Sequence, residues 1–421
     1  MRSGVTIGVI AASLAVAAPA SADTRYASPG GTGPPATCPV SNPCGIVDAV
    51  ENGAADGDDI LLAQGTYAMT ANLDVTDDLN IRPIDPALGR PVLTSAADPD
   101  VVDVRTAGAL LSDLEIRATG PTVAGMSMGG GGAERLVVTS GGGGACIFYN
   151  TPAVLRDSSC VETGGNFAIG VLGDESSDDP SLTTANVTAV STGEGPNPYG
   201  IWVAATANSA TATLDAHNTI AYGDSVDVQM QRSGGATSAS ATLSSSNFDS
   251  VASLGGGTVT PAGSPGNQTS VPQFVNLAGA DVHQAGSSET IDAGVTGFLY
   301  FGALDVDRQP RVIGSAPDIG ADEYLEAPDT AAPDTTLTRT PKKKVKSKRK
   351  RKKAKFAFES SEPGSSFACS LDGGPALPCD SGRFVKKVKR GKHAFEVAAI
   401  DAAGNTDPTP AEYRWKLKRK R

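Results

Sequence analysis

No lysine precedes Lys342 in this chain of 421 residues, and aromatic residues make up only 5% of it. The missing lysines weigh against any chemistry in the long N-terminal part that needs a lysine base. Scarce aromatics make a thin core the expectation. The core has to come from small and β-branched side chains, which stacked strands bury more readily than helix bundles do.

Long hydrophobic runs are missing as well. The one sizeable apolar stretch, Val5 to Ala18, is well short of the roughly 20 residues a helix needs to span a bilayer, so no transmembrane segment is expected. With Arg2 ahead of it and Ala20-Ser21-Ala22 behind it, residues 1–22 read as a secretory signal cut after Ala22. A secreted, extracellular or cell-surface location follows. There the six cysteines, which fall as close pairs (Cys38 with Cys44, Cys146 with Cys160, Cys369 with Cys379), most simply form local disulfides, although the spacing leaves other pairings open.

Charge is split between the two ends. From Arg339 onward there are 24 Lys and Arg against 8 Asp and Glu, a balance of +16, whereas the rest has 11 against 38, or −27. Two electrostatically opposite modules share one chain.

What is present in the acidic part is repetition. Short apolar alternations separated by Gly-rich polar turns form one series at Leu114 to Ile116, Leu136 to Val138, Cys160 to Val161, Val187 to Val190, Thr219 to Ile220 and Asn247 to Phe248. A second, offset series runs through Met126 to Met128, Ile147 to Tyr149, Ile169 to Val171, Ile201 to Val203 and Val228 to Met230. The steps of the second series, 21, 22, 32 and 27 residues, suit the coils of a parallel β-helix with two strands per coil. Loop insertions at Asp174 to Ser181 and Gly193 to Asn197 account for the longer steps. Asn186, Asn218 and Asn247 recur near one point of successive coils, as an internal Asn ladder would. The segment Cys44 to Val50 suits a short helix capping the open end of the stack.

Two stretches carry a resemblance. Cys38 to Tyr67, with CPVSNPC and then GDDILLAQGTY, resembles the N-terminal part of bacterial secreted right-handed parallel β-helix proteins of the pectin-lyase-like superfamily. Ile291-Asp292-Ala293-Gly294, Asp305-Val306-Asp307-Arg308 and Pro317 to Tyr324 (PDIGADEY) resemble the terminal segment of choice-of-anchor-type β-helix proteins. The resemblance implies a solenoid over residues 23–325. A Pro, Asp and Thr-rich linker covers 326–335. Residues 336–421 contain short alternating strands and the turns LDGG and DAAGN, and read as a small β-sandwich. They resemble a bacterial immunoglobulin-like domain, with a lysine and arginine run inserted before its second strand.

Function is less sharply written, because this fold hosts lyases, hydrolases, adhesins and inert surface proteins. A polyuronate lyase needs a Lys or Arg base and a surface that tolerates a polyanion. Here the solenoid has no lysine, its central arginines Arg117, Arg135, Arg156 and Arg232 are scattered, and its net charge is strongly negative. A glycoside hydrolase needs two facing carboxylates. The candidates are Asp178 and Asp179 in the acidic insertion, with Asp215 and His217 sharing one strand face, but the Gly-His-Gly and Arg-Ile-Lys elements of polygalacturonases are absent. Asp174, Glu175, Asp178 and Asp179 offer oxygen ligands for Ca²⁺, without the spacing of a known calcium loop. Asp305 and Asp307 are a second such pair and read as turn and capping residues.

The most unusual feature is the run Lys342, Lys343, Lys344, Lys346, Lys348, Arg349, Lys350, Arg351, Lys352, Lys353 and Lys355, 11 basic residues in 14. It is expected to hold an anionic cell-envelope polymer or polysaccharide. No aromatics are interleaved, which argues against specific nucleic-acid recognition. The sequence thus points to a non-catalytic, monomeric, surface or secreted β-helix protein that binds carbohydrate or envelope polymers. The alternatives are a polysaccharide-degrading enzyme and a purely structural rod.

Overall fold

The computed structural model describes residues 22–96, 99–174, 179–261, 263–298, 302–326, 329–380 and 384–420. The chain is all-β and divides into two compact units, 1–325 and 326–421.

The first unit is a parallel β-helix. Its strands form a 14-stranded and an 8-stranded sheet in which every pairing between coils is parallel. The sequence pattern predicts two strands per coil, but the structure has three. The additional face includes Gly131–Glu134 and Ser238–Ser244, whose glycine, serine and alanine give no apolar alternation to recognise. It joins the second face through long strands, Ala153–Glu162, Ser181–Ser191 and Thr211–Gly223, that continue around a corner. The third face holds Ala124–Met128, Cys146–Phe148, Ile169–Gly173, Tyr199–Ala205 and Val226–Arg232.

Stacking buries one interior column on this third face: Val102, Met126, Cys146, Ile169, Ile201 and Val228, all fully buried. Each such aliphatic side chain contributes about 1.5–3 kcal/mol by leaving water. The register differs from the predicted one by a residue at Cys146, which pairs with Met126 and Ile169 where Ile147 was expected. Both phases of ACIFY look apolar. The inward phase is set by Cys146 and Phe148, and Cys146 is tied inside the core to Cys160, at a Cα separation of 6.0 Å.

At the corner between the first two faces, Asp113, Arg135, Asp157, Asn186, Asn218 and Ser245 all have left-handed backbone. Asn and Asp tolerate this conformation better than most residues. The buried ladder there runs Asp157, Asn186, Asn218: Asn186 Nδ2 donates to Asp157 Oδ1 at 2.9 Å, and Asn218 Nδ2 to Asn186 Oδ1 at 3.0 Å. Asn247 is not part of it, contrary to the predicted ladder. It bridges Ile220 and donates to the Ser270 carbonyl, while Ser245 occupies the corner.

The N-terminal end carries the expected short helix, Ile46–Glu51, which buries Ile46, Ala49 and Val50. Beneath it the buried Arg25 donates to the carbonyls of Ala49, Gly53 and Asn52. These include carbonyls that the helix end leaves without intrahelical partners. The Cys38–Cys44 disulfide closes the adjoining loop.

The terminal segment lies along the side of the solenoid. Val282, on the hairpin Phe274–Asn276 with Asp281–Gln284, packs on Val161 and Val190 of the second face. Ala321 N donates to Thr188 Oγ1 at 2.9 Å, and Gly320 N to the Asn218 carbonyl at 2.9 Å. Gly320 has φ 114°, and a Cβ there would meet Ile220 and Thr188 at 2.8 Å, so only glycine allows the approach. The carboxylates of DVDRQPR and DIGADEY mostly cap backbone. Asp318 accepts from Asp292 N and Tyr324 N, and Asp305 from Gln309 N and Glu323 N.

The second unit is a small β-sandwich around Phe356, Phe358, Phe367, Phe395 and Trp415, with Phe356 and Phe395 stacked 4.1 Å apart. One sheet orders Thr335–Arg339, Arg351–Ser360 and Phe384–Lys389. The other orders Lys344–Ser347, Ala411–Arg419, Gly391–Ile400, Ser366–Leu371 and Leu377–Cys379. The third disulfide joins Cys369 and Cys379 on paired strands. The basic run is therefore not an insertion ahead of a strand. It supplies all of Lys344–Ser347 and half of Arg351–Ser360.

Candidate functional site

Among the described residues, the sequence candidates on the solenoid do not converge on one site. Asp178 and Glu175 lie outside the described residues, and Asp174 is exposed beside them. Asp179 accepts from the Thr211 backbone N at 3.1 Å and from the Thr211 hydroxyl, which makes it a strand-start cap. Asp215 and His217 do meet, with Nε2 and Oδ1 3.5 Å apart, but the His217 ring is stacked on Phe298, 4.8 Å between centroids. With Glu175 and Asp178 outside the described residues, the first expected Ca²⁺ group is not described as a whole, and Asp305 and Asp307 turn to different partners. Asp305 is fully buried and accepts two backbone N–H groups, and Asp307 is in ion pairs with His283 and Arg90.

His283 sits between two carboxylates, with Nε2 2.6 Å from Asp307 Oδ2 and Nδ1 2.5 Å from Asp281 Oδ1. Asp322 completes a group whose donor atoms lie within 4.8 Å of one another. The hydrogen bond to Asp307, and then that to Asp281, raises the imidazole pKa to about 10, while burial raises Asp322 to about 6. Each ring nitrogen lies within hydrogen-bonding distance of a carboxylate, an arrangement that favours the protonated ring. The cluster ties the hairpin 274–284 to the later part of the terminal segment, and Arg90 with Asp307 and Arg308 with Asp113 at 2.7 Å join that segment to the coils.

The outer side of the third face carries a mixed strip. The outward column reads Asp103, Ser127, Ile147, Gly170, Trp202 and Gln229. Trp202 packs on Phe167 at 5.2 Å and lies 6.3 Å from Tyr199 between ring centroids; its indole N–H is buried without a partner. Gly170 makes room for this cluster, because a Cβ there would come within 2.6 Å of the Phe167 ring. Toward the N-terminal end, Tyr149 OH donates to Asp103 at 2.5 Å, Arg105 Nε pairs with Asp103 at 2.7 Å and Ser127 donates to Asp100 at 2.8 Å. The ring cluster at Trp202 and the polar group at Asp103 are four strands apart on this face. The sequence pattern passes over Phe167, Tyr199, Trp202 and His283, although the scarcity of aromatics and of histidine is itself a signal that could single them out.

The sandwich concentrates charge differently. A groove of about 1120 Å³ runs beside the strands Lys344–Ser347 and Arg351–Ser360, and basic residues dominate its lining, with no Asp or Glu among them. Lys344–Ser347 is the edge of its sheet. Thr335–Arg339 pairs with the other strand only at Ala357 and beyond, so the span from Arg351 to Lys355 has a strand neighbour on one side alone.

Across the strands, like faces like. Arg351 is opposite Lys389, Lys353 opposite Lys387, and Lys416 pairs with Lys344 on one side and Lys392 on the other. Like charges directly opposite each other are destabilising. Among the described residues no lysine forms a salt bridge; the sandwich's ion pairs are Arg414 with Glu412 and His393 with Asp372.

Comparison of the sequence with known protein families finds no match. No curated protein matches it either.

Proposed function

We propose that this is an exported, non-catalytic protein that attaches to anionic polymer of a cell envelope through its C-terminal sandwich and presents its solenoid as a carbohydrate-binding surface. The observation that carries the reading is the groove lined by unpaired cations, where like charges are held opposite each other with no internal counter-charge. Such a surface is relieved by an anion from outside. The three disulfides fit an oxidising, extracytoplasmic environment.

The strip around Trp202 supports the carbohydrate part. It offers a sugar ring an apolar platform, and the polar groups around Asp103 lie further along the same face, within the reach of an extended saccharide. The carboxylates described there are held by neighbouring hydroxyl and guanidinium groups, which favours binding over hydrolysis as the use of this face.

The test is sedimentation of the full chain with isolated cell envelopes at low and at high salt. Attachment at about 50 mM salt that is largely lost by 0.5 M is the expected result, since exposed ionic contacts are screened. Absence of low-salt attachment removes the reading. Release of new reducing ends or unsaturated products from a panel of polysaccharides would replace it with an enzymatic one.

A further inference from the structure

We infer that the cationic groove of the sandwich takes a poly(polyol phosphate), an extended chain of phosphodiesters separated by short polyols. This deepens the attachment proposed above and rests on it.

The argument begins from the backbone. Alternate residues of a strand repeat on one side at about 6.7 Å. Lys344 and Lys346 form such a row on one strand, and Arg351, Lys353 and Lys355 form another; all five line the same groove. A phosphodiester chain with a three-carbon spacer has six backbone bonds per repeat and extends to roughly 7 Å between phosphates. Its charges keep pace with the lysine rows. A polyuronate carries its charges on rigid rings that turn about the chain axis, so neighbouring carboxylates do not line up along one side.

Other occupants fit less well. No aromatic side chain lines the groove, so the bases of a single-stranded nucleic acid would find nothing to stack on. A groove between strand edges admits a thread and not the plane of a bilayer. Lysines on edge strands also discourage pairing with another chain, but one or two per strand suffice for that. The exposed edge from Arg351 to Lys355 carries four cations, Arg351, Lys352, Lys353 and Lys355, all lining the groove, which is more than that purpose needs.

The experiment titrates the full chain with poly(glycerol phosphate), polygalacturonate, inorganic polyphosphate and single-stranded DNA across a salt series. Poly(glycerol phosphate) should bind at least about tenfold more tightly than polygalacturonate or DNA of equal charge. A variant carrying Lys344→Gln, Lys346→Gln, Lys353→Gln and Lys355→Gln should lower the slope of log affinity on log salt by about 3. An equally discharged variant, Lys392→Gln, Arg414→Gln, Lys416→Gln and Lys418→Gln, whose residues do not line the groove, should change it by less than half as much. Equal affinity for all four polymers, or equal losses in the two variants, overturns the phosphodiester assignment and leaves attachment standing. Binding to none of them removes both. The competition among polymers needs only the wild-type chain, so a poorly folding variant does not shield the inference.

Discussion

Lys353 and Lys387 lie directly opposite each other on the antiparallel strands Arg351–Ser360 and Phe384–Lys389, and neither forms a salt bridge among the described residues. Replacing one with an acid turns a repulsive cross-strand pair into an attractive one. Lys353→Glu should therefore raise the melting temperature of the sandwich by roughly 1–3 °C. The same change should weaken attachment to anionic polymer. Opposite signs for stability and binding are expected from calorimetry and co-sedimentation of one variant. A variant that loses both is incompatible with repulsion maintained for a ligand.

The corner ladder sets a second expectation. Asn186 holds φ 55°, donates to Asp157 and accepts from Asn218, all three being buried. Asn186→Ala takes the hydrogen bond from buried Asp157 and one of several from Asn218, and puts a side chain without a local hydrogen bond into the left-handed region. The expected loss is about 2–4 kcal/mol by denaturant unfolding. Asn247→Ala should cost less, about 1 kcal/mol, because Asn247 lies off the ladder and gives up its donation to Ser270. Equal losses at the two positions contradict the ladder as described.

The terminal segment predicts a pH dependence. Burial raises Asp157 to about 6, Asp322 to about 6 and Glu323 to about 8, with Arg311 beside Asp157 and Glu323 only partly offsetting it. A carboxyl whose folded pKa is raised stabilises fully below its ordinary value near 4, and that contribution is lost as pH rises through the folded value. His283, raised to about 10, stabilises below its ordinary value near 6.5 and ceases to do so as pH climbs through 10. Both effects run the same way, so the solenoid's melting temperature should fall from pH 5 to pH 9. Glu323→Gln should flatten that decline between about pH 5 and pH 8 and leave the part due to His283 above it. A melting temperature that rises over this range counts against the buried cluster. Asp113 and Asp307 are lowered despite burial, by Arg135 and Arg308 in one case and chiefly by His283 in the other, and their contribution is lost at the acid end.

Apolar alternation is what made the solenoid legible. Met126, Ile169, Ile201 and Val228 recur because every coil must bury a face on the next, and they fixed the third face before any coordinates were needed. Where alternation fails, so does the reading. In the first face the strand Gly131–Glu134 is built from residues too small to mark it, and the phase at Cys146 depends on a disulfide partner 14 residues away. Asn247 looked like a ladder residue because sequence spacing does not show which residue of a turn takes the left-handed corner. The basic run stood out by composition, but composition does not show that its residues are strand residues facing their own kind. The Trp202 cluster depends on Gly170 of the neighbouring coil, a long-range absence of side chain that no local pattern displays.

The same glycine offers a test of the carbohydrate surface. Trp202 packs at a tilt on Phe167 with its indole N–H buried, so the ring and not the N–H is what a sugar would meet. Trp202→Ala should reduce saccharide binding on a glycan array by about tenfold or more, consistent with truncating an aromatic anchor. Stability should drop modestly, because Trp202 points outward from the interior column of Ile201 and Val203. Gly170→Ala offers an independent check, since its methyl group pushes directly on the Phe167 ring and displaces the platform while leaving Trp202 in place. If neither substitution alters binding to any glycan that the wild-type chain retains, the third face is not the carbohydrate surface, and attachment through the sandwich has to account for all polymer binding.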